Sequence, residues 1–173
     1  MVDILRKSIL TADFFTHSYR ISGQVDTRGK RLIEILNDHL TSFIELHKTF
    51  VSRLSKPSEI AATYSTSALR KDGILFVISA THDQDISERP TYSLFSQRRY
   101  NVFLTVPSFE IKGQLESTSK LELSTLLARG GGFISLNKAA VQTAFPPQIS
   151  FSGELVLVNK AWIELFCLSE VKT

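Results

Sequence analysis

The chain has 173 residues, of which 43% are hydrophobic and 21% charged, with 8 Gly and 5 Pro. That length suits one or two compact units, and the composition excludes collagen, low-complexity disorder and a long coiled coil. Twenty Lys plus Arg against 17 Asp plus Glu leave a net charge of +3, too small for bulk attraction to a polyanion.

Twelve Phe dominate the aromatic share, and together with the many Val, Ile and Leu they favour strands on an apolar interior. A lone cysteine, Cys167, excludes an internal disulfide or a cysteine metal cluster and suits a reducing compartment. Its neighbours Leu165, Phe166 and Leu168 make it read as a buried apolar thiol.

Residues 1–11 read as a short amphipathic helix, with Val2, Leu5 and Ile9 on one face. They lack the long apolar region and small-residue cleavage site of a signal peptide. No run approaches the roughly 18 apolar residues that span a bilayer, so the expected location is a bacterial cytoplasm.

The rest of the chain divides by an internal repeat: 12–80 as a first copy, 81–98 as a charged linker broken by Pro90, and 99–170 as a second copy. Residues 19–51 align without a gap on 109–141, and ten of the 33 pairs are identical, where about two are expected from ordinary residue usage. Tyr19, Ile21, Gly23 and Val25 alternate with polar residues, as do Phe109, Ile111, Gly113 and Leu115. This predicts a half-buried strand whose glycine marks a bend or a close backbone approach. Val102, Leu104 and Val106 extend the second of these into one long bent strand, of the kind with which small barrels turn corners.

A short helix follows in each copy, from Leu32, Leu36 and Leu40 in the first and from Leu123, Leu126 and Leu127 in the second, where Ser119 and Glu122 form a capping box. Strands over 43–51 and 133–141 come next. A further apolar strand at 73–79 matches 153–159, which leaves 55–72 as an insertion of about ten residues in the first copy. Its Pro57 and its Ser/Thr cluster read as an exposed loop. A tight turn at Asn159-Lys160 leads into a last strand, 161–168. The expected core of the repeat is Ile21, Gly23, Leu36, Phe43, Ile44 and Leu46, with Ile111, Gly113, Leu126, Phe133, Ile134 and Leu136 in the second copy.

Candidate chemistry is sparse. His82-Asp83-Gln84-Asp85 offers metal-ligand types, but in a linker rather than on neighbouring rigid elements. His39 and His47 align with Arg129 and Asn137, and His17 with Pro107, so the repeat gives them no partners. Arg129-Gly130-Gly131-Gly132 follows a helix, whereas a phosphate cradle precedes one, so it reads as a helix cap. No nucleophile, base or paired-carboxylate arrangement emerges.

The motif Ile-x-Gly-x-Val/Leu, then Arg31-Leu32 with Leu36-Asn37, then Phe43-Ile44-x-Leu46, resembles an uncharacterised bacterial family with this signature, here duplicated. The second copy departs from it at Leu121-Glu122 and Leu126-Leu127. In architecture the glycine-centred strands are also similar to the small bent-strand barrels of Sm-like proteins, although those place their helix before the first strand.

These readings imply a mainly β fold with short helices (α+β): a tandem, pseudo-twofold duplication of a small bent-strand, barrel-like unit. The expected function is non-catalytic, that of a binding, scaffold or regulatory-adaptor protein without a cofactor or metal, acting through a protein partner or self-association. One alternative is nucleic-acid binding through Arg28, Lys30, Arg31, Arg98, Arg99 and Lys120. Another is a small-molecule sensor with a pocket between the repeats.

Overall fold

A computed structural model of the chain describes residues 8–79, 97–128 and 132–172. The His82–Asp85 cluster, nearly all of the expected linker, Arg129-Gly130-Gly131 and the first seven residues lie outside them. The described chain is mainly β. In order it runs β1 (Ile9–Phe15), β2 (Tyr19–Asp26), α1 (Leu32–Asn37), β3 (Phe43–Arg53), β4 (Ile60–Arg70), a 3-10 turn, β5 (Phe76–Ser79), β6 (Arg98–Val106), β7 (Phe109–Ser117), α2 (Leu123–Ala128), β8 (Phe133–Thr143), β9 (Ser150–Asn159), a second 3-10 turn and β10 (Leu165–Glu170). Ile9 and Leu10, expected on an N-terminal helix, open β1. No described helix is long and apolar enough to cross a membrane.

All ten strands join one open antiparallel sheet in the order β10-β6-β7-β8-β9-β5-β1-β2-β3-β4. The two halves of this order run alike: β5-β1-β2-β3-β4 and β10-β6-β7-β8-β9. They meet at β9 and β5, paired Phe76 to Val158, Val77 to Leu157, Ile78 to Val156 and Ser79 to Leu155.

Burial on both faces explains why this stretch of sequence is continuously apolar rather than alternating. Phe76, Ile78, Val156 and Val158 point into a core built mostly from the second half. Val77, Leu155 and Leu157 point into a core built mostly from the first. At the first of these, the rings of Phe15 and Phe76 stack at 4.5 Å, and Phe109 meets Phe76 edge-on at 4.9 Å.

The expected long bent strand is two strands. Val106 pairs with Phe109 around Pro107-Ser108, and Ser108 takes a positive φ of 71°. Proline cannot continue the ladder and the left-handed serine reverses the chain, so the apolar alternation spans a hairpin. The bend lies further on, at matching bulges. The β2–β3 register shifts between Ser22 and Gln24, and the β7–β8 register between Lys112 and Gln114.

Each bulge carries a lysine in the left-handed region, Lys48 at 47° and Lys138 at 46°, across from a glycine. A Cβ on Gly23 would lie 3.2 Å from the Leu46 Cβ, and one on Gly113 would lie 3.1 Å from both the Leu136 and the Ala139 Cβ. The close approach read from the glycines is therefore present at both bulges.

The expected loop over 55–72 is mostly the eleven-residue strand β4, paired with β3 from Phe43–Arg70 to Ser52–Ile60. Composition misleads here: Ser and Thr crowd a loop, but β-branched Ile60, Thr63 and Thr66 with Tyr64 also suit an edge strand. Phe43 pairs with Arg70 as Phe133 pairs with Asn159, so β4 stands where β9 stands in the other half. By the same comparison β5 matches β10, and the ten-residue insertion disappears.

Helix α1 buries Leu32 and Leu36, and the Glu34 carboxylate accepts the Arg31 amide at 2.8 Å. It ends at Asn37, which leaves Leu40 outside the helix and exposed. Helix α2 starts at Leu123, beyond the expected Ser119–Glu122 cap, and buries no residue.

Of the expected core, Gly23, Leu36, Ile44, Leu46, Ile111, Phe133, Ile134 and Leu136 are buried, and Ile21, Gly113 and Leu126 are half-buried. Phe43 is 54% exposed. Cys167, expected inside, is exposed too, because β10 turns Phe166 and Leu168 inward and Cys167 outward.

Candidate functional site

The polar groups with unusual surroundings hold the fold together. Asp13 on β1 receives Arg20 at 2.8 Å and the Ser22 hydroxyl, both from β2. Arg20 lies 5.6 Å over the Phe151 ring, an arrangement that pins the β1–β2 hairpin to the second half. Lys71 is buried, its Nζ donating to the Asp38 carbonyl at 2.9 Å and the Thr41 hydroxyl at 2.8 Å. Burial pushes its ammonium below the ordinary lysine range, opposed by Asp38. His17 packs edge-on against Trp162 at 4.6 Å. No group of three or more His, Cys, Asp or Glu among the described residues could hold a metal ion.

Four of the six basic residues of the nucleic-acid alternative fall in two corresponding connections. Arg28, Lys30 and Arg31 occupy the β2–α1 connection, and Lys120 the β7–α2 connection. Arg98 and Arg99 open β6 opposite Ser117 and Glu116. Arg31 pairs with Glu34 at 3.1 Å, Arg98 with Glu170 at 3.2 Å and Arg99 with Glu116 at 3.6 Å. Half of the six thus lie beside a carboxylate that offsets their charge.

The exposed features lie at the two ends of the sheet. Strand β4 is bordered on its outer side by no strand among the described residues. From Ile60 to Leu69 it carries no charge, Gly or Pro, and Ile60 and Tyr64 are 60% and 58% exposed. Native edges of this length usually carry a charge, a proline or a covering element. Phe43, at the start of the neighbouring strand, is uncovered beside it.

At the other end β10 is likewise an outer strand among the described residues, with Leu165 half exposed. An open cavity of about 480 Å³ lies beside it between Asn101, Phe103, Lys112, Lys138, Cys167 and Ser169. It lies wholly within the second half, away from the junction where a sensor pocket between repeats would sit.

Sequence reasoning misses the β4 edge because its Ser/Thr content reads as a loop. The available signal is its freedom from Gly and Pro over ten residues, which a true loop of that length rarely shows. Comparison of the chain with family models, with curated proteins and with solved structures returns no match.

Proposed function

We propose that the protein is a non-catalytic binding and scaffold module that recruits protein partners by strand addition at the β4 edge. The reading includes a tandem duplication: two copies of one small bent-strand, barrel-like unit, similar in architecture to Sm-like barrels, fused through β9 and β5. The shared strand order and the twin bulges support it.

The observation that carries the function is the uncharged, exposed outer strand from Ile60 to Leu69. Its main-chain donors and acceptors can extend the sheet by one strand, and alternate side chains select what is added.

The test is a blocked edge. Thr63 and Ser65 are exposed, so Thr63→Lys with Ser65→Lys should leave the circular dichroism and melting curve of the chain unchanged. A lysine pair on an edge opposes strand addition, and the proteins that co-purify with the wild-type chain from its host should be lost from the variant. An identical co-purifying set from both chains refutes the edge as the binding surface.

A further inference from the structure

The junction inside the sheet has two unlike sides. One side is β5 with α1; the other is β9 with Phe133, the first residue of β8. Asn37 at the end of α1 accepts the Phe133 amide at 2.8 Å and donates to the Phe133 carbonyl at 3.4 Å, and Phe133 is 5% exposed.

Each half carries both sides of such a junction, so one of each is left over. The second half ends in β10 with α2, and the first ends in β4 with Phe43. We propose that these complementary ends bind each other between chains, β10 of one chain pairing antiparallel with β4 of the next while α2 covers Phe43. The inference rests on the edge-strand reading above and names its partner, a second copy of this chain.

The register follows from the junction already present. Leu165 stands in its half where Phe76 stands in the other, each one strand away from corresponding positions, Thr105 and Phe15. Leu69 stands where Val158 stands, each opposite its own half's isoleucine, Ile44 or Ile134. Transposing the four internal pairs sets Leu165 against Leu69, Phe166 against Ala68, Cys167 against Ser67 and Leu168 against Thr66 of the next chain.

Three features of the free ends fit this pairing. Phe43 is exposed where its counterpart Phe133 is covered by α1, and α2 presents exposed Leu123 and Leu127, the latter in the place of Asn37. An apolar contact between Leu127 and Phe43 would take over from the Asn37 hydrogen bonds.

The second feature is steric. Gly153 on β9 has no room for a side chain, because a Cβ there would lie 2.5 Å from Ile78 Cγ2. Its counterpart on β4 is Tyr64, since Tyr64 pairs with Thr49 as Gly153 pairs with Ala139. In the place of Ile78 the other end has unbranched Cys167, which borders the 480 Å³ cavity. The outer junction therefore has room where the inner one has none, and a large side chain to occupy it.

The third is composition. Thr66, Ser67 and Ala68 replace Leu155, Val156 and Leu157, so less apolar surface is buried than inside the chain, and assembly is weaker than the internal joint and depends on concentration. Because the contact is heterologous, it builds a ring if its rotation closes and a filament if it does not.

Cys167 is the one cysteine of the chain, which makes a direct test available. The wild-type chain is mixed with a Ser67→Cys, Cys167→Ser variant and oxidised with copper phenanthroline. Residues directly opposite in an antiparallel pair lie about 4.5–5.5 Å apart at Cα, within reach of a disulfide. The expected product is a disulfide-linked heterodimer, with several-fold less from Ala68→Cys, Cys167→Ser, whose thiol faces the other side of the sheet.

In sedimentation velocity the wild-type mass should rise with concentration, and the blocked-edge lysine variant should stay monomeric. A wild-type chain that stays monomeric and gives no mixed disulfide overturns self-assembly. So does preferential linkage of the Ser67→Cys, Cys167→Ser variant to itself, which would mean that like edges meet. If the chain is monomeric but the blocked edge still loses its co-purifying proteins, the edge reading stands without the second copy. If oligomers persist in the blocked-edge variant, this pairing is wrong.

Discussion

Replacing Gly153 tests the inner junction most sharply. Gly153 has no left-handed backbone to preserve, so Gly153→Ala acts through space alone: its Cβ would lie 2.5 Å from Ile78 Cγ2 and 3.3 Å from the Ser79 carbonyl oxygen. Overpacking a fixed strand pair costs about 1–3 kcal/mol. Restricting the unfolded chain returns about 0.4–1 kcal/mol, for a net loss centred on ~1.3 kcal/mol and reaching ~2.6 kcal/mol at most. Ile78→Leu moves the branch from Cβ to Cγ and removes Cγ2 at nearly constant volume, a swap that costs under about 1.5 kcal/mol. The double variant should recover much of the Gly153→Ala loss, although the Ser79 carbonyl remains close. Urea unfolding of the four chains closes a double-mutant cycle with a favourable coupling of about 1 kcal/mol, within the range found for residues in contact. Additivity within about 0.5 kcal/mol, or a Gly153→Ala chain as stable as wild type, would refute the steric account and weaken the Tyr64–Cys167 argument drawn from it.

Two further outcomes are expected. Phe133→Ala should cost about 3–5 kcal/mol, as for other buried phenylalanines, while Phe43→Ala at the corresponding, exposed position should stay within about 0.5 kcal/mol; urea titrations of dilute protein compare them, and equal losses would contradict the exposure of Phe43. Burial holds the Lys71 ammonium below the ordinary lysine value of 10.5, so between the lowered value and 10.5 the unfolded chain binds more protons and the stability contribution of Lys71 rises with pH. The stability of wild type relative to Lys71→Gln should therefore climb toward pH 10.5, and a difference that falls or stays flat over that window would contradict the burial.

Much of the fold is legible along the chain where periodicity and backbone chemistry act locally. The alternation at Tyr19–Val25 and Phe109–Leu115 marks β2 and β7, and Gly23 and Gly113 mark the bulges, because the side chains across each bulge crowd these positions to within 3.2 Å of any added Cβ. The spacing of Leu32 and Leu36 marks α1 in the same local way. Serine and threonine in β4 are chemically ambiguous between loop and edge, and only the ladder to β3 decides between them. In the hairpin β6–β7 the buried positions are even-numbered up to Val106 and odd-numbered from Phe109, so the alternation changes phase at Pro107-Ser108, and that break is the signal that separates the two strands.

The likeness of residues 19–51 to 109–141 and the mainly β class follow from residue type and spacing alone. Which strand neighbours which is decided in three dimensions. Self-similarity in sequence sets Gly73–Ile78 against Gly153–Val158, whereas in the sheet those stretches, through β5 and β9, are partners across the junction. Two strands that share a buried joint resemble each other because both faces of each must be apolar, and one-dimensional comparison cannot separate that likeness from common position. The same cause hides the ends: Phe43 and Phe133 are the same residue at the start of β3 and of β8, and only α1 folding over one of them makes it core and leaves the other on the surface.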